Sequence, residues 1–269
     1  MRRDLAGLRV IVTGASSGIG YALAEQLVES GANVVALARR KERLQQLAAA
    51  LPAAAVDRFR WIAGDVTDAA LRRQAIELCE QTWGGLDALV NNAGIGGHGS
   101  FAAADEARLR KIMEVNFFAP AEFIRQALPA LRRGRTPIVV NVGSVLGHRA
   151  VPGKSEYSAS KFAMHGLSDA LRIELGREGI DLLLVSPSTT ASEFFDVAMP
   201  TTADGGAESE KMRRKRTFGA MTPEKVAQRI IAAMRKGKRE IILSPGGKAL
   251  VWFDRLCPPL MDWVLRKFG

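Results

Sequence analysis

LRVIVTGASSGIG, residues 8–20, joins a short apolar run to a glycine-rich turn and then to a helix-forming segment. Leu8–Thr13 is β-branched and brief, the pattern of a strand buried on both faces. From Gly18 to Glu29, Ile19, Leu23, Leu27 and Val28 recur at helical spacing, and Gly31 ends the helix. Glycines in the turn let the backbone bend tightly and approach a phosphate. The helix behind them offers free N–H groups and a positive dipole end to a diphosphate. The spacing is G-x-x-x-G-x-G, not the commoner G-x-G-x-x-G. A tight strand–helix turn would use glycine without any ligand, but the place between first strand and first helix favours a dinucleotide site. Gly14, Ser16, Ser17, Gly18, Ile19 and Gly20 are its candidate residues.

Outward from this stretch, strand and helix patterns alternate. Strands are expected at Asn33–Ala38, Phe59–Ala63, Leu86–Asn91, Pro137–Val142, Ile180–Ser186 and Glu240–Leu243. Helices are expected at Glu42–Leu51, Asp68–Trp83, Glu106–Arg132 (kinked at Pro120), Ser155–Arg177 and Pro223–Met234. Seven strands with intervening helices imply an α/β fold of Rossmann type, a doubly wound, mainly parallel sheet with helices on both faces. Residues 1–245 read as one domain, 188–219 as a lid over the substrate and 246–269 as an amphipathic extension.

The end of the second strand bears on which dinucleotide binds. An acid there would take the ribose 2′-OH of NAD, whereas an arginine suits the 2′-phosphate of NADP. The chain has Ala38-Arg39-Arg40-Lys41 and no carboxylate until Glu42. A guanidinium donates to phosphate in bidentate fashion, so Arg39 points to NADP(H). The alternative is that these cations merely open a solvated helix.

Tyr157 and Lys161 stand four apart near the start of a helix and share a face. A free tyrosine titrates near about 10, and a neighbouring ammonium lowers that value towards use as an acid or base. Ser144, just past the strand at 137–142, can come beside the phenol and hydrogen-bond a carbonyl oxygen. With these residues, TGASSGIG at 13–20, Gly64-Asp65-Val66, NNAG at 91–94, Asn116 and Tyr157-Ser158-Ala159-Ser160-Lys161 follow one another in order. Together they resemble the short-chain dehydrogenase/reductase family in its compact form, over roughly Gly7 to Leu243.

The resemblance implies roles. Asp65 and Val66 would hold the adenine edge; Asn91, Asn92, Ala93 and Gly94 would line the adenosine ribose side and steady the sheet. Tyr157 would carry the proton, and Lys161 would lower its pKa and bind the nicotinamide ribose. Ser144 would polarise the substrate carbonyl, and Asn116 would hold a water relaying protons to Lys161. The family's Pro-Gly after the sixth strand is here Pro187-Ser188, which leaves Thr190 and Ser192 as alternatives for the carboxamide or a phosphate. Relatives commonly associate, so a dimer or tetramer is expected.

Other residues have blander readings. His98 and His148 suit a pocket or the surface, and His165 suits packing or an interface. Phe101, Phe194, Phe195 and Met199 fit an apolar substrate site or core packing equally. Cys79 and Cys257 form no scaffold or zinc pattern, no metal is expected, and a reduced, cytoplasmic setting follows. No apolar run is long enough to span a membrane.

The 269 residues carry 38 Lys+Arg and 28 Asp+Glu, a formal charge of +10. Residues 1–204 hold 23 basic and 22 acidic side chains, while 205–269 hold 15 and 6. The excess therefore lies in the C-terminal quarter, in Lys211–Arg216, Arg235–Arg239 and the extension. There, Leu250, Phe253, Leu256 and Cys257 share one helical face, and Leu260, Met261, Val264, Leu265 and Phe268 another, with Pro258-Pro259 between. Trp252 and Trp263 are added. This apolar surface could cover its own domain or a partner subunit, lie on a membrane, or adjoin a nucleic-acid site. The last is least supported, since no nucleic-acid motif occurs. The expected activity is NADP(H)-dependent interconversion of an apolar ketone or aldehyde and its alcohol. The alternatives are a 3-oxoacyl-thioester reductase and a non-catalytic NADP-sensing or membrane-tethering protein.

Overall fold

The computed structural model describes residues 3–188, 190, 199 and 220–268. The expected lid falls almost wholly outside the described residues, as do Ser192, Phe194, Phe195 and the basic run 211–216.

Seven strands form one sheet: β1 (Arg9–Thr13), β2 (Asn33–Ala38), β3 (Phe59–Ala63), β4 (Ala88–Asn91), β5 (Ile138–Val142), β6 (Asp181–Ser186) and β7 (Glu240–Ile242). Their order is β3-β2-β1-β4-β5-β6-β7, and every pairing is parallel. A parallel sheet covered on both sides needs apolar residues at every strand position, and β1, β4 and β5 are buried throughout. Alternate residues supply the two sides. Val10, Val12, Val34 and Ala36 pack into one cluster, while Ile11, Val35, Leu37 and Leu89 pack into the other.

The helices are α1 (Gly18–Glu29), α2 (Lys41–Ala50), α3 (Ala69–Trp83), α4 (Glu106–Met113), α5 (Ala119–Leu131), α6 (Ser155–Gly176), α7 (Pro223–Arg235), α8 (Pro245–Leu256) and α9 (Pro258–Phe268). Strand order reverses between β1 and β4, which opens a crevice at their C-terminal ends.

Three expectations need correction. The fourth strand begins at Ala88, just after fully buried Asp87, whose carboxylate accepts from Arg9 Nη2 at 2.6 Å, Arg9 Nε at 2.8 Å and the Arg135 N–H at 2.7 Å. The 106–132 helix is broken before Pro120, by a π-helical turn over Glu114–Phe118. Proline lacks the N–H that the Asn116 carbonyl would accept four residues back, so the ladder shifts upstream of the ring. Finally, Pro258 begins a helix, as Pro245 does, where Pro258-Pro259 was expected only to separate two. Pro245 takes the first turn behind a Ser244 cap whose hydroxyl accepts from Gly247 N–H at 2.9 Å.

Candidate active site

The β1–α1 turn is shaped by two close approaches. Gly14 has φ +68°, and a Cβ there would lie 2.9 Å from the Ala93 backbone; one on Gly20 would lie 2.4 Å from the Gly14 carbonyl oxygen. Only hydrogen fits at either place. Thr13 ties the turn to β4: its hydroxyl accepts from the N–H groups of Asn92 (2.9 Å) and Ala93 (3.0 Å), and Asn92 Nδ2 donates to the Thr13 carbonyl at 2.9 Å.

One continuous cleft starts at this turn. Gly14, Ser16, Ser17, Gly18 and Ile19 line it, then Arg39, Arg40, Asp65 and Val66, then Asn92, Ala93 and Gly94. Its far end is lined by Ser144, Tyr157, Lys161, Pro187, Ser188 and Thr190. Among the sequence candidates, Gly20, Asn91 and Asn116 stand outside this lining. Gly20 shapes the turn from behind. Asn91 is buried in the sheet, with Nδ2 donating to Asn141 Oδ1 at 2.9 Å, which corrects its expected place on the ribose side. Thr190 pairs with Met221 across an isolated bridge, so it is the described member of the Thr190/Ser192 alternative.

Arg39 is exposed and adds its charge to that of Lys111 near Asp65. Burial alone would raise the Asp65 pKa. The N–H and hydroxyl of Thr67 outweigh it, with help from those cations, and hold the carboxyl below its ordinary value. Arg40, which sequence reasoning passed over, reaches across the glycine turn. Its Nη2 donates to Ser17 Oγ at 2.6 Å and its Nε to Ser16 Oγ at 3.2 Å. The cationic wall of the cleft is therefore both arginines, not Arg39 alone.

At the other end, α6 carries Tyr157 and Lys161 on its buried face. Ser144 follows β5, and its Oγ accepts from Leu146 N–H at 3.1 Å and hydrogen-bonds the Tyr157 phenol. Lys161 Nζ donates to the Val142 carbonyl at 2.9 Å and stands 5.7 Å from the centre of the tyrosine ring. Burial pushes the Tyr157 phenol up to about 12, against a smaller opposing effect from Ser144, and pushes Lys161 down to about 8. Desolvation is the largest of the effects on the phenol.

Asn116 sits in the π turn. Its Oδ1 accepts from Ile95 N–H at 2.8 Å, while Nδ2 donates to the Ile95 carbonyl and to Ser160 Oγ, both at 3.0 Å. The side chain thus joins the loop after β4 to α6. A second brace was invisible from spacing. Arg108 of α4 pairs with the Glu156 carboxylate and donates from Nη1 to the carbonyls of His98 (3.0 Å) and Met199 (3.2 Å). His148 lies outside the cleft, contrary to the pocket-or-surface reading. Its Nε2 is 3.0 Å from Glu240 Oε1 and 3.1 Å from Ser186 Oγ, and its ring packs edge-on against His165 with centroids 4.5 Å apart. Burial, aided by the charges of His148 and Lys161, holds His165 down at about 4.

A family model described as short chain dehydrogenase matches residues 9–202. The chain belongs to the short-chain dehydrogenase family. It is 32% identical over 274 residues to the dehydrogenase/reductase SDR family protein 7-like of Anopheles gambiae, covering 98% of this chain and 84% of that protein. It is 31% identical over 266 residues to 11-beta-hydroxysteroid dehydrogenase A of Sesamum indicum, with 98% and 76% covered. Among solved structures, a short chain dehydrogenase/reductase from Burkholderia phymatum, in complex with NAD, superposes with a TM-score of 0.88 at 24% identity over 96% of each chain. That last likeness is one of fold. Membership in this oxidoreductase family fits the cleft, whose glycine cradle and two ends suit a nicotinamide dinucleotide. Among the described residues no cluster of His, Cys, Asp or Glu could hold a metal ion, and no helix is long and apolar enough to cross a membrane.

Proposed function

We propose that this protein is an NADP(H)-dependent reductase of an apolar ketone or aldehyde. The observation that carries the reading is the single cleft with Arg39 and Arg40 at one end and Ser144, Tyr157 and Lys161 at the other. Gly14, Ser16, Ser17, Gly18 and Ile19 would hold the diphosphate, Asp65 and Val66 the adenine, and Asn92, Ala93 and Gly94 the adjoining ribose. Lys161 would hold the nicotinamide ribose, and Pro187 and Thr190 the carboxamide. The bound nicotinamide supplies or accepts hydride. The chain's own residues handle the oxygen: Ser144 donates a hydrogen bond to the carbonyl, Tyr157 gives its proton to the forming alkoxide, and Lys161 stabilises the phenolate left behind. A phenol near 12 is neutral at physiological pH, the form that a proton donor in reduction needs. The apolar substrate is supported by the likeness to the sesame protein, whose name is that of a steroid dehydrogenase. The reading includes a homo-oligomer formed through Phe118, Phe162 and Ile173, which are exposed on the turn before α5 and on α6.

The test is a panel of apolar ketones, aldehydes and acyl-carrier 3-oxothioesters with NADPH and with NADH. Turnover of free ketones with NADPH is expected; turnover of thioesters alone would shift the assignment to the 3-oxoacyl reductase. Arg39→Ala and Arg40→Ala are each expected to raise KM for NADPH by about 10- to 100-fold, the worth of one charge-assisted contact to phosphate. KM for NADH should stay close to its starting value. Equal losses with both cofactors would refute recognition of a 2′-phosphate.

A further inference from the structure

The helices α8 and α9 form a hairpin whose two carboxylates are both taken by one arginine. Arg149 Nη1 lies 2.9 Å from Asp254 Oδ1, and Nη2 pairs with Asp262. Gly247, Val251 and Met261 complete the inner side. A Cβ on Gly247 would meet Val145 at 2.8 Å, so the hairpin rests on the turn that begins at Ser144.

What is left outside is unusual for a surface in water. Trp252 is 60% exposed, Phe253 42%, Leu256 79%, Leu260 42% and Trp263 54%. At 100° per residue, Trp252, Phe253 and Leu256 fall within an arc of about 100° on α8, and Leu260 and Trp263 adjoin on α9. Lys248, Arg255, Arg266 and Lys267 are exposed beside them. Asp254 and Asp262 are the only acids in 245–267. The outer face therefore joins aromatic and leucine side chains to four cations, with no carboxylate turned away from Arg149.

We propose that this hairpin is an interfacial anchor that seats the protein on an anionic lipid bilayer, its apolar row in the acyl boundary and its cations among the headgroups. Helices of 12 and 11 residues lie along such a surface and do not span it. Tryptophan suits the headgroup level, with an apolar body and a polar N–H, and lysine or arginine beside it meets phosphate. A second copy of the chain fits poorly, since a two-fold contact would bring the four cations against themselves.

The experiment is sedimentation of the full chain with vesicles of phosphatidylcholine alone and of phosphatidylcholine with one third phosphatidylglycerol. The protein is expected to pellet with the anionic vesicles, weakly with the neutral ones, and less at high salt. Trp252→Ser with Trp263→Ser should weaken partitioning by about tenfold or more. Lys248→Gln with Arg255→Gln should weaken it roughly fivefold per cation, on the anionic vesicles only. All four side chains face outward, so the circular dichroism spectrum and Tm should not change. Should a variant misfold, quenching of the wild-type tryptophans by brominated phosphatidylcholine reads the same insertion. The proposal is overturned if the wild-type chain ignores anionic vesicles, or if the variants pellet as it does. It is equally overturned if the tryptophan pair dissolves a dimer while leaving lipid binding untouched.

Discussion

Tyr157→Phe is expected to lower kcat for the proposed carbonyl reduction by about 10²- to 10⁴-fold, the range for loss of a positioned proton donor, and to leave the KM for cofactor unchanged. The phenyl ring keeps its place on α6, so packing and the shape of the cleft persist; only the hydroxyl bonded to Ser144 goes. Full turnover by the Tyr157→Phe variant would end the mechanism. Lys161 gives this result a pH signature. Burial brings its ammonium down to about 8, and it must stay charged to stabilise the phenolate formed as Tyr157 releases its proton. The rate of reduction is therefore level below about pH 8 and falls as the pH rises through that value, while the phenol near 12 stays protonated throughout. A profile that instead rises across pH 8 would refute a charged Lys161 as the group that stabilises the phenolate.

How far the site could be read along the chain depended on how local its causes are. The turn at 13–20 was legible because a strand, a glycine turn and a helix start occupy adjacent residues, each with its own steric demand. Tyr157 and Lys161 were legible because one helical turn joins them. The break at Glu114–Phe118 was misplaced by a few residues because proline acts backwards along the helix, on the carbonyl four positions earlier. Arg39 and Arg40 follow the end of the same strand, and spacing could not say which guanidinium would fold back over Ser16 and Ser17. The extension shows the limit. Its amphipathic character was evident, but what its apolar face meets was left open, and Phe253, Leu256 and Cys257 of that face lie outward. Which side meets the domain is decided by Arg149, more than a hundred residues away, and no periodicity carries that contact.

Arg108→Met should cost about 3–5 kcal/mol of stability, the penalty for leaving one member of a buried ion pair alone, and lower Tm by roughly 10 °C. The side chains of Arg108 and Glu156 are 5% and 2% exposed, so water cannot replace the lost partner. The two residues lie 48 apart in sequence, and the pair adjoins three parts of the site at once. Glu156 precedes Tyr157 on α6, while the same guanidinium holds the carbonyls of His98 and Met199, which are themselves joined by His98 N–H to the Met199 oxygen at 3.3 Å. Removing both charges tests the account. Arg108→Met with Glu156→Leu abandons the pair without stranding a charge, and such exchanges are often neutral or stabilising. Here the His98 carbonyl still loses its Arg108 donor and the Met199 carbonyl keeps only the His98 N–H, at a cost of about 1–3 kcal/mol. The double variant should thus be more stable than Arg108→Met alone, and the cycle should show a coupling above about 1 kcal/mol. Denaturant unfolding of the four proteins measures it. If the two substitutions simply add, Arg108 and Glu156 are not the coupled brace that their geometry describes.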